Sequence, residues 1–443
     1  MVTIKVRESS VVKPAEETPK VCLWTSNIDQ LYANHAQAVY FYKRPLTDGS
    51  SSCSDDDFFN STVLKDGLSR ALVTYYPIAG RLKRNEFDKG RAEIDCTGEG
   101  AIFIVAETDS CIEDLGEFTP NEQLLPLIPN VDNNNDISSY PPLLVQVTHF
   151  RCGGVCLSTS LSHRVADGVC GVNFINTWSD ICRGVEDIKS IPFFDRTVLR
   201  ARDPPIVSFP HIEHKRPSMN IPSSSRLSNP DITIAKLNIS SMQASQLKAK
   251  CNRDEFQFST YEVIAGHLWR CSCKARELED DQETVMLIPL DCRSRSRPPL
   301  PDGYFGNAIF YLSPTAISGN IVSKPLSYAV SLIHETLITS GNNEYFRSAI
   351  DFLELHPNIR TLTKGPQSFK GCNIHNATWV RLPVYGADFG WGRPLYMGPG
   401  VQRFAGRTLL IPNPPGGDGG FSLIISLESD YHMDLFKEYF YDI

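Results

Sequence analysis

The sequence predicts an α/β protein with two mixed-sheet domains joined by a long crossover. Three observations support this fold class. Strand-like segments alternate with amphipathic helical segments along all 443 residues. A proline-rich segment at residues 191–230 interrupts the alternation near the middle. Both halves end on a predicted helix, so we expect similar units at 1–190 and 231–443 with a cleft between them, where ligands commonly bind.

The composition describes a soluble globular protein, with 41% hydrophobic and 21% charged residues. The net charge of -8 argues against nucleic acid as a partner. No segment approaches the ~18 uninterrupted apolar residues of a membrane span. The N-terminal segment lacks the apolar stretch of a signal peptide. We therefore expect a cytoplasmic protein.

The 13 cysteines are scattered and form no C-x-x-C pair. A structural zinc site needs closer and more regular ligand spacing. We expect reduced, mostly buried thiols and no bound metal.

In the first half, Asn60-Ser61 precedes an amphipathic pattern and predicts the start of a helix. Segments 92–96 and 101–106 are spaced like a β-hairpin. Segments 143–150 and 154–158 predict a second strand pair, whose second strand continues to His163. This region forms the predicted N-terminal domain.

In the second half, Ser259 and Glu262 predict the start of a helix that runs to Ala275. A buried strand is predicted at 285–290, one helical region at 325–355, two strands near 409–411 and 421–426, and a last helix at 430–441. The intervening segment 191–230 is predicted to be an unpacked linker because prolines interrupt it repeatedly.

The segment from His163 to Gly168 follows a buried strand and precedes a helix. A histidine at such a strand end can face a cavity, and its pKa near neutrality suits a general base. Taken alone, His163 is equally compatible with a histidine held by a local hydrogen bond.

Two further segments are candidates for chemistry. Arginines 293, 295 and 297 follow the strand at 285–290 and suit either an anionic ligand or a solvated turn. Asp388-Phe-Gly-Trp-Gly392 is typical of a structural corner. The G-x-S-x-G motif of many serine hydrolases is absent from the sequence.

Taken together, these motifs resemble the plant BAHD acyl-CoA-dependent acyltransferases. The resemblance rests on His163-Arg-Val-Ala-Asp167-Gly168, the crossover, and Asp388-Phe-Gly-Trp-Gly392. It covers essentially the whole chain and is closest to the hydroxycinnamoyl-CoA shikimate/quinate hydroxycinnamoyltransferase branch. Gly303-Tyr-Phe-Gly-Asn307 and Asp388–Pro394 also match that branch.

The resemblance implies two chloramphenicol-acetyltransferase-like domains with an active-site channel between them. His163 would be the general base, without a covalent acyl-enzyme and without a cofactor beyond the acyl-CoA co-substrate. Asp167 would hold the turn through an ion pair with Arg293 or Arg295. Trp379 would stabilise the oxyanion, and Asp388 would be structural. The family also suggests a monomer.

The resemblance further implies two binding regions. The acyl-CoA contacts would come from Ser259, Thr260, Tyr261, Asp291, Arg293, Ser294, Arg295, Arg297, Thr378 and Arg381. The acceptor contacts would come from His35, Ala36, Ala38, Tyr40, Lys364 and Ala377.

The acceptor region departs from the shikimate-using members of the family. Those members carry hydroxyl residues at the positions of Ala36 and Ala38, an arginine at Lys364 and a threonine at Ala377. The expected reaction is transfer of a p-coumaroyl or caffeoyl group to a shikimate- or quinate-type hydroxyl. Another hydroxy acid, or an amine such as a polyamine, remains an alternative acceptor. A non-catalytic family member that acts by binding is a third possibility.

Overall fold

The computed structural model describes residues 2–45, 58–130, 136–185, 187–188, 190–214, 232–251, 257–362 and 373–443. The strands are β1 (Lys5–Val12), β2 (Cys22–Leu23), β3 (His35–Tyr42), β4 (Arg81–Asn85), β5 (Arg91–Asp95), β6 (Ala101–Thr108), β7 (Leu143–Phe150), β8 (Val155–Ser162), β9 (Thr233–Ile239), β10 (Glu283–Asp291), β11 (Ile309–Leu312), β12 (Thr315–Ile317), β13 (Ile374–Thr378), β14 (Tyr396–Pro399), β15 (Arg407–Pro412) and β16 (Phe421–Leu427). The helices are α1 (Ser61–Thr74), α2 (Gly168–Cys182), α3 (Ser241–Cys251), α4 (Thr260–Ala275), α5 (Ser318–Ser323), α6 (Leu326–Ser340), α7 (Asn343–Leu355) and α8 (Asp430–Tyr441).

The strands of the described residues form two large mixed sheets and one small one. The first sheet has the order β1-β6-β7-β8-β3-β14. The second has the order β11-β10-β13-β15-β16-β9, with β12 also paired to β10. Strands β2, β5 and β4 form the third sheet. The predicted α/β class with two mixed-sheet units is confirmed.

The two large sheets are joined by a shared apolar cluster. Val39 and Phe41 of β3 belong to the same buried cluster as Leu409 of β15 and Ile424 of β16. Strand β14, although late in the chain, pairs antiparallel with β3 of the first sheet. The chain therefore returns to the first unit over residues 384–399 and crosses back to the second sheet at β15. The division into 1–190, 191–230 and 231–443 stays a prediction, and any boundary must accommodate this return.

Two predicted helix starts are confirmed by their capping hydrogen bonds. The Asn60 side chain accepts hydrogen bonds from the backbone N–H groups of Thr62 and Val63 at the start of α1. Ser259 and Glu262 form a reciprocal capping box at the start of α4. Both caps satisfy backbone donors that the first helical turn leaves without intrahelical partners.

The hairpin predicted from segments 92–96 and 101–106 is wrong. Strand β5 pairs with β4 and β2, whereas β6 pairs antiparallel with β1 and parallel with β7. Between them, Gly100 has a φ of +98° and approaches the carbonyl oxygen of Val12 too closely for a Cβ atom. This turn sends the chain into a different sheet, and the pairing partners of β6 come from distant segments.

Two further sequence predictions need correction. The helical region predicted at 325–355 is two helices, α6 and α7, because the chain breaks at Gly341 and Asn342 caps α7 by accepting from the backbone N–H of Tyr345. The described part of the crossover is packed rather than an unpacked linker, since Arg196, Leu199 and His211 are buried. Residues 215–231 lie outside the described residues.

The cysteines of the described residues are free thiols, and seven of the eleven are buried. This agrees with the predicted reduced state. None of the described helices has both the length and the apolar character that crossing a membrane requires.

We predict opposite effects for two glycine-to-alanine substitutions in helix interiors. In Gly266→Ala the new Cβ would lie 2.6 Å from a side-chain methyl and 3.2 Å from the backbone nitrogen of Val330 on α6. Such overpacking costs about 1–3 kcal/mol of unfolding free energy. In Gly171→Ala the nearest contact is an ordinary 3.5 Å, to Leu161.

Glycine is less favourable than alanine inside a helix. Gly171→Ala should therefore leave the free energy of unfolding unchanged or raise it by up to about 1 kcal/mol. Denaturant unfolding of both variants measures the difference. Equal stabilities would contradict the close packing of α4 on α6.

Candidate active site

His163 lies in a tight turn between a strand and a helix. Strand β8 ends at Ser162, and the backbone N–H of Val165 donates to the Ser162 carbonyl at 2.9 Å. Asp167 then caps α2 by accepting from the backbone N–H of Cys170 at 3.1 Å. The backbone N–H of His163 donates to the carbonyl of Asn34 at 3.0 Å. The position of the ring is therefore set by a strand end and a helix start only five residues apart.

Asp167 ties this turn to the second half of the chain. Its fully buried carboxylate accepts from the Arg293 guanidinium at 2.9 Å and from the backbone N–H of Ala308 at 3.1 Å. Burial alone would raise the pKa of Asp167, but the Arg293 charge and the two backbone donors outweigh it, so the pKa is lowered. Of the two predicted partners, Arg293 is the correct one, and Arg295 instead donates to the carbonyl of Gly341.

Asn307 determines which ring nitrogen of His163 is free to act as a base. The Nδ1 atom of His163 lies 3.0 Å from Oδ1 of Asn307. The Nδ2 group of Asn307 donates to the His163 carbonyl and to Asp29, each at 2.7 Å. A flipped amide would place its oxygen against two acceptors, so this orientation follows from its partners. Nδ1 therefore carries the proton, and Nε2 is left with a lone pair.

A second buried ion pair supports Asn307 from behind. Asp29 accepts from both the backbone N–H and the side chain of Asn307, and it pairs with Arg196 at 3.2 Å. Both charged side chains are completely buried. Arg196 also donates to the carbonyls of Arg164 and Val165, which belong to the turn after His163. The turn is thus held from two sides by paired charges.

The ring of His163 faces an interior space. It stacks on Tyr32 with 3.9 Å between ring centroids and 7° between planes. His163, Tyr32, Tyr311 and Arg407 lie deep within the protein, yet each keeps accessible surface. Groups that are deep but accessible line a channel rather than a packed core. Burial lowers the pKa of His163 below its ordinary value, aided by the Arg407 charge and opposed by Asp167 and Asn307.

The predicted acceptor residues differ in their access to a ligand. Ala36 is exposed and Ala38 half-buried, whereas Tyr40 is only 2% exposed and packs in a buried hydrophobic cluster with residues of α1 and α2. His35 lies 3.3 Å from the carbonyl of Pro141, and burial lowers its pKa to about 4. Ala377 is half-buried beside the cluster that joins the sheets. Lys364 lies outside the described residues.

The predicted acyl-CoA residues fall into two groups. Ser259, Ser294, Arg295, Arg297, Thr378 and Arg381 are exposed, and Thr260 is half-buried. Tyr261 is deep but accessible, and its hydroxyl contacts Asn376 of β13 at 3.4 Å. Arg293 is bound to Asp167 and Asp291 and does not face outward with Arg295 and Arg297. We therefore assign Arg293 to the support of the turn.

Trp379 and Asp388 occupy different parts of the site. A Cβ atom at Gly168 would lie 3.8 Å from the indole nitrogen of Trp379, so this nitrogen lies at the start of α2. The Asp388 carboxylate accepts from the backbone N–H groups of Gly390 and Gly392 at 2.9 and 3.0 Å. Asp388 thus holds its own corner closed.

The residues that sequence reasoning missed are Asp29, Tyr32, Tyr311, Arg196 and Arg407. Asn307 was part of a matching motif without an assigned role. These residues come from four separate segments, and one or two side chains in each segment carry no periodic or spacing signal. Only folding brings them together around His163.

The whole chain matches known proteins. The model of the Transferase family covers residues 2–443. The chain is 46% identical to shikimate O-hydroxycinnamoyltransferase of Nicotiana tabacum, over 99% of both chains, and 42% identical to rosmarinate synthase of Plectranthus scutellarioides, over 99% of this chain and 100% of that one.

The fold also matches a solved structure. Vinorine synthase superposes with a TM-score of 0.74 at 22% identity, covering 98% of this chain and 96% of that one. At this identity the similarity concerns the fold alone. The chain belongs to the BAHD transferase family.

Members of this BAHD family transfer acyl groups from coenzyme A thioesters, so the protein is an acyl-CoA-dependent acyltransferase. Acyl-CoA is its co-substrate. The predicted roles of individual site residues stay predictions, although the geometry around His163 suits a base.

We predict that Asp167→Ala destabilises the enzyme because it leaves the guanidinium of Arg293 buried without its carboxylate. Removing one partner of a buried pair costs about 3–5 kcal/mol of unfolding free energy. Thermal or denaturant unfolding measures this cost. The matched control is Asp291→Ala, which removes the more exposed carboxylate that also contacts Arg293. If both variants unfold alike, Asp167 does not hold the turn.

We predict that Asn307→Ala lowers kcat by roughly ten- to hundredfold, as loss of an orienting partner does in other sites. The Asn307 oxygen also stabilises the protonated imidazole, so its removal should shift the pKa of His163 further down. In the wild type the acidic limb of the pH profile of kcat/KM should have an apparent pKa below about 6.5, the ordinary value for histidine. In the variant this apparent pKa should be lower still. A merely structural role would leave that limb in place.

Proposed function

We propose that this enzyme transfers a hydroxycinnamoyl group, p-coumaroyl or caffeoyl, from its CoA thioester to a hydroxyl of a shikimate- or quinate-type acceptor. The observation that carries the proposal is the His163 ring, whose Nδ1 is held by Asn307 and whose Nε2 has no hydrogen-bond partner among the described residues, in a deep, accessible space. The tobacco relative, 46% identical, is a shikimate O-hydroxycinnamoyltransferase. Hydroxycinnamoyltransferase of Narcissus pseudonarcissus is also 46% identical.

In this mechanism His163 Nε2 removes the proton of the acceptor hydroxyl as the oxygen attacks the thioester carbonyl. A neutral imidazole is required, and the lowered pKa of His163 supplies it near pH 7. The tetrahedral intermediate collapses by breaking the C–S bond. Coenzyme A leaves as a thiolate and takes the proton from the imidazolium, because its conjugate thiol has a pKa of about 8.5 by analogy with cysteine.

No protein nucleophile takes part in this scheme. Cys170 is the thiol at the start of α2, and burial raises its pKa to about 12. It is therefore protonated at neutral pH and shielded from substrate. A positioned base and bound reactants lower the barrier without an acyl-enzyme.

Trp379 is our candidate for oxyanion stabilisation. Its indole nitrogen lies near Gly168, and a preorganised N–H donor is most effective where negative charge develops in a water-poor site. We assign Asp167, Arg293 and Asp388 to support rather than chemistry.

An amine acceptor is the second candidate, in which the same base would produce an amide. It is favoured by the relative of Avena sativa named hydroxycinnamoyl-CoA:5-hydroxyanthranilate N-hydroxycinnamoyltransferase, which is 42% identical over 99% of this chain. Ala36, Ala38 and Ala377 also lack the side-chain hydroxyls of shikimate-using members. Each missing hydrogen bond removes about 0.5–1.5 kcal/mol of binding free energy.

We keep the cytoplasmic location and the monomeric state as predictions.

The decisive experiment is an acceptor panel with p-coumaroyl-CoA and caffeoyl-CoA. Shikimate, quinate, 5-hydroxyanthranilate and spermidine are offered, thiol release is measured, and products are identified by mass spectrometry. We expect ester formation with the hydroxy acids and a loss of about 10²-fold or more in His163→Ala, which lacks the base.

His163→Ala should keep the wild-type melting temperature, because the turn is held by backbone contacts and by Asp167. Thiol release no faster than in His163→Ala with every acceptor would refute hydroxycinnamoyl transfer and leave the binding-only alternative. Release with the amines alone would select the second candidate.

A further inference from the structure

Arg407 is an interior arginine close enough to His163 for its charge to act on the ring. It is the first residue of β15 and lies opposite His375 of the parallel neighbour β13. Its side chain is deep in the protein but keeps accessible surface, so it borders the interior space rather than the packed core. No acidic side chain of the described residues forms an ion pair with it.

A set of side-chain contacts links His163 to His375, which lies opposite Arg407 in the neighbouring strand. Tyr32 stacks on the His163 ring and is hydrogen-bonded to Tyr311. Tyr311 in turn packs near His375, with 5.5 Å between ring centroids. The Arg407 charge acts on both Tyr311 and His163. It lowers the pKa of Tyr311 against the effect of burial, and it lowers the pKa of His163 in the same direction as burial. The guanidinium therefore points into the space that His163 faces.

Three other interior arginines of the described chain pair with carboxylates. Arg196 pairs with Asp29, Arg293 with Asp167, and Arg276 with Glu428 at 2.7 Å. Removing a guanidinium from water is costly unless an anion compensates it. Burial accordingly lowers the pKa of Arg407, and only Tyr311 opposes this effect. A buried positive charge that no described carboxylate compensates is suited to bind an anion from outside the chain.

We propose that Arg407 binds a carboxylate of the acceptor and thereby determines which acceptors place a nucleophile on His163. The inference rests on the proposed acyl transfer. The acyl group of a hydroxycinnamoyl donor carries no anion, and the phosphates of coenzyme A are separated from the thioester by the whole pantetheine arm. The acceptor is then the substrate that brings an anion to this place. Arginine binds a carboxylate through two parallel hydrogen bonds.

This assignment narrows the acceptor class. It favours a small hydroxy acid, or an aromatic amino acid of the anthranilate type, whose carboxylate and nucleophile reach Arg407 and His163 together. It disfavours a polyamine, because a cationic acceptor would be repelled by the guanidinium. Arg407 would carry this selectivity even though Ala36, Ala38 and Ala377 lack the hydroxyls of shikimate-using members.

The test compares acids with their uncharged methyl esters in wild type, Arg407→Met and Arg403→Met. Arg403 is an exposed arginine four residues away and serves as the matched control. The acceptor pairs are shikimate with methyl shikimate, and 5-hydroxyanthranilate with its methyl ester. In wild type and Arg403→Met, kcat/KM should favour the acid. In Arg407→Met, kcat/KM should fall roughly ten- to hundredfold for the acid and stay unchanged for the ester. This factor corresponds to the free energy that hydrogen bonds to charged groups usually contribute.

The melting temperature of Arg407→Met should not be lower than that of the wild type, because no ion pair within the described protein is lost. An unchanged acid-to-ester ratio would overturn the proposal. Lys364, which is also predicted to contact the acceptor, is present in all three proteins, so an unchanged ratio would place the carboxylate away from Arg407.

A second readout needs no turnover and separates this proposal from the proposed function. Diethyl pyrocarbonate modifies His163 at fixed pH, and mass spectrometry of the His163 peptide follows the rate with and without each acceptor. Acids should protect His163 better than esters in the wild type, and this difference should vanish in Arg407→Met. Equal protection by acids and esters in the wild type would overturn the role of Arg407. Absence of thiol release with selective protection intact would refute only the acyl transfer.

Discussion

The ion pair between Asp167 and Arg293 is the interaction on which the site depends. Asp167 is at once the last residue of the turn after His163, the N-cap of α2 and the acceptor for the backbone of Ala308. Through these contacts one carboxylate joins the first sheet to the segment between β10 and β11. If the two halves moved apart, a buried charge would be left without its partner. The relative position of the halves is therefore linked to the position of the base.

A second buried ion pair supports the base from behind Asn307. Asp29 and Arg196 form a second buried pair that fixes both the amide of Asn307 and the carbonyls of the turn. The orientation of that amide decides that Nδ1 of His163 carries the proton. The Asp29 carboxylate therefore acts on His163 through Asn307 rather than directly. Because Asn307 is neutral, it orients the ring without placing a full negative charge on Nδ1.

Most local elements were predictable because their signals lie within a few residues of one another. The capped starts of α1 and α4, the strand pair β7–β8 and the last helix follow from side-chain capping and periodicity. The pairing of β6 with β1 and β7 was not predictable, because spacing along the chain favoured its neighbour β5. The break at Gly341 was also missed, since apolar residues continue on both sides of it. Register and sheet membership depend on distant partners that no local window contains.

The family, the α/β class and the candidate base were all predictable from the sequence, because His163-Arg-Val-Ala-Asp167-Gly168 and the Asp388 corner are contiguous motifs. The sequence also narrowed the partner of Asp167 to two arginines. The choice between Arg293 and Arg295 required the folded structure, because the chain turns after β10, where the backbone N–H groups of Arg295 and Ser296 donate to the Cys292 carbonyl. Likewise, only folding placed Asp29, Asn307, Tyr32 and Arg407 around His163. Their effect comes from burial, distance and the pairing of charges, and these quantities exist only once distant segments have packed together.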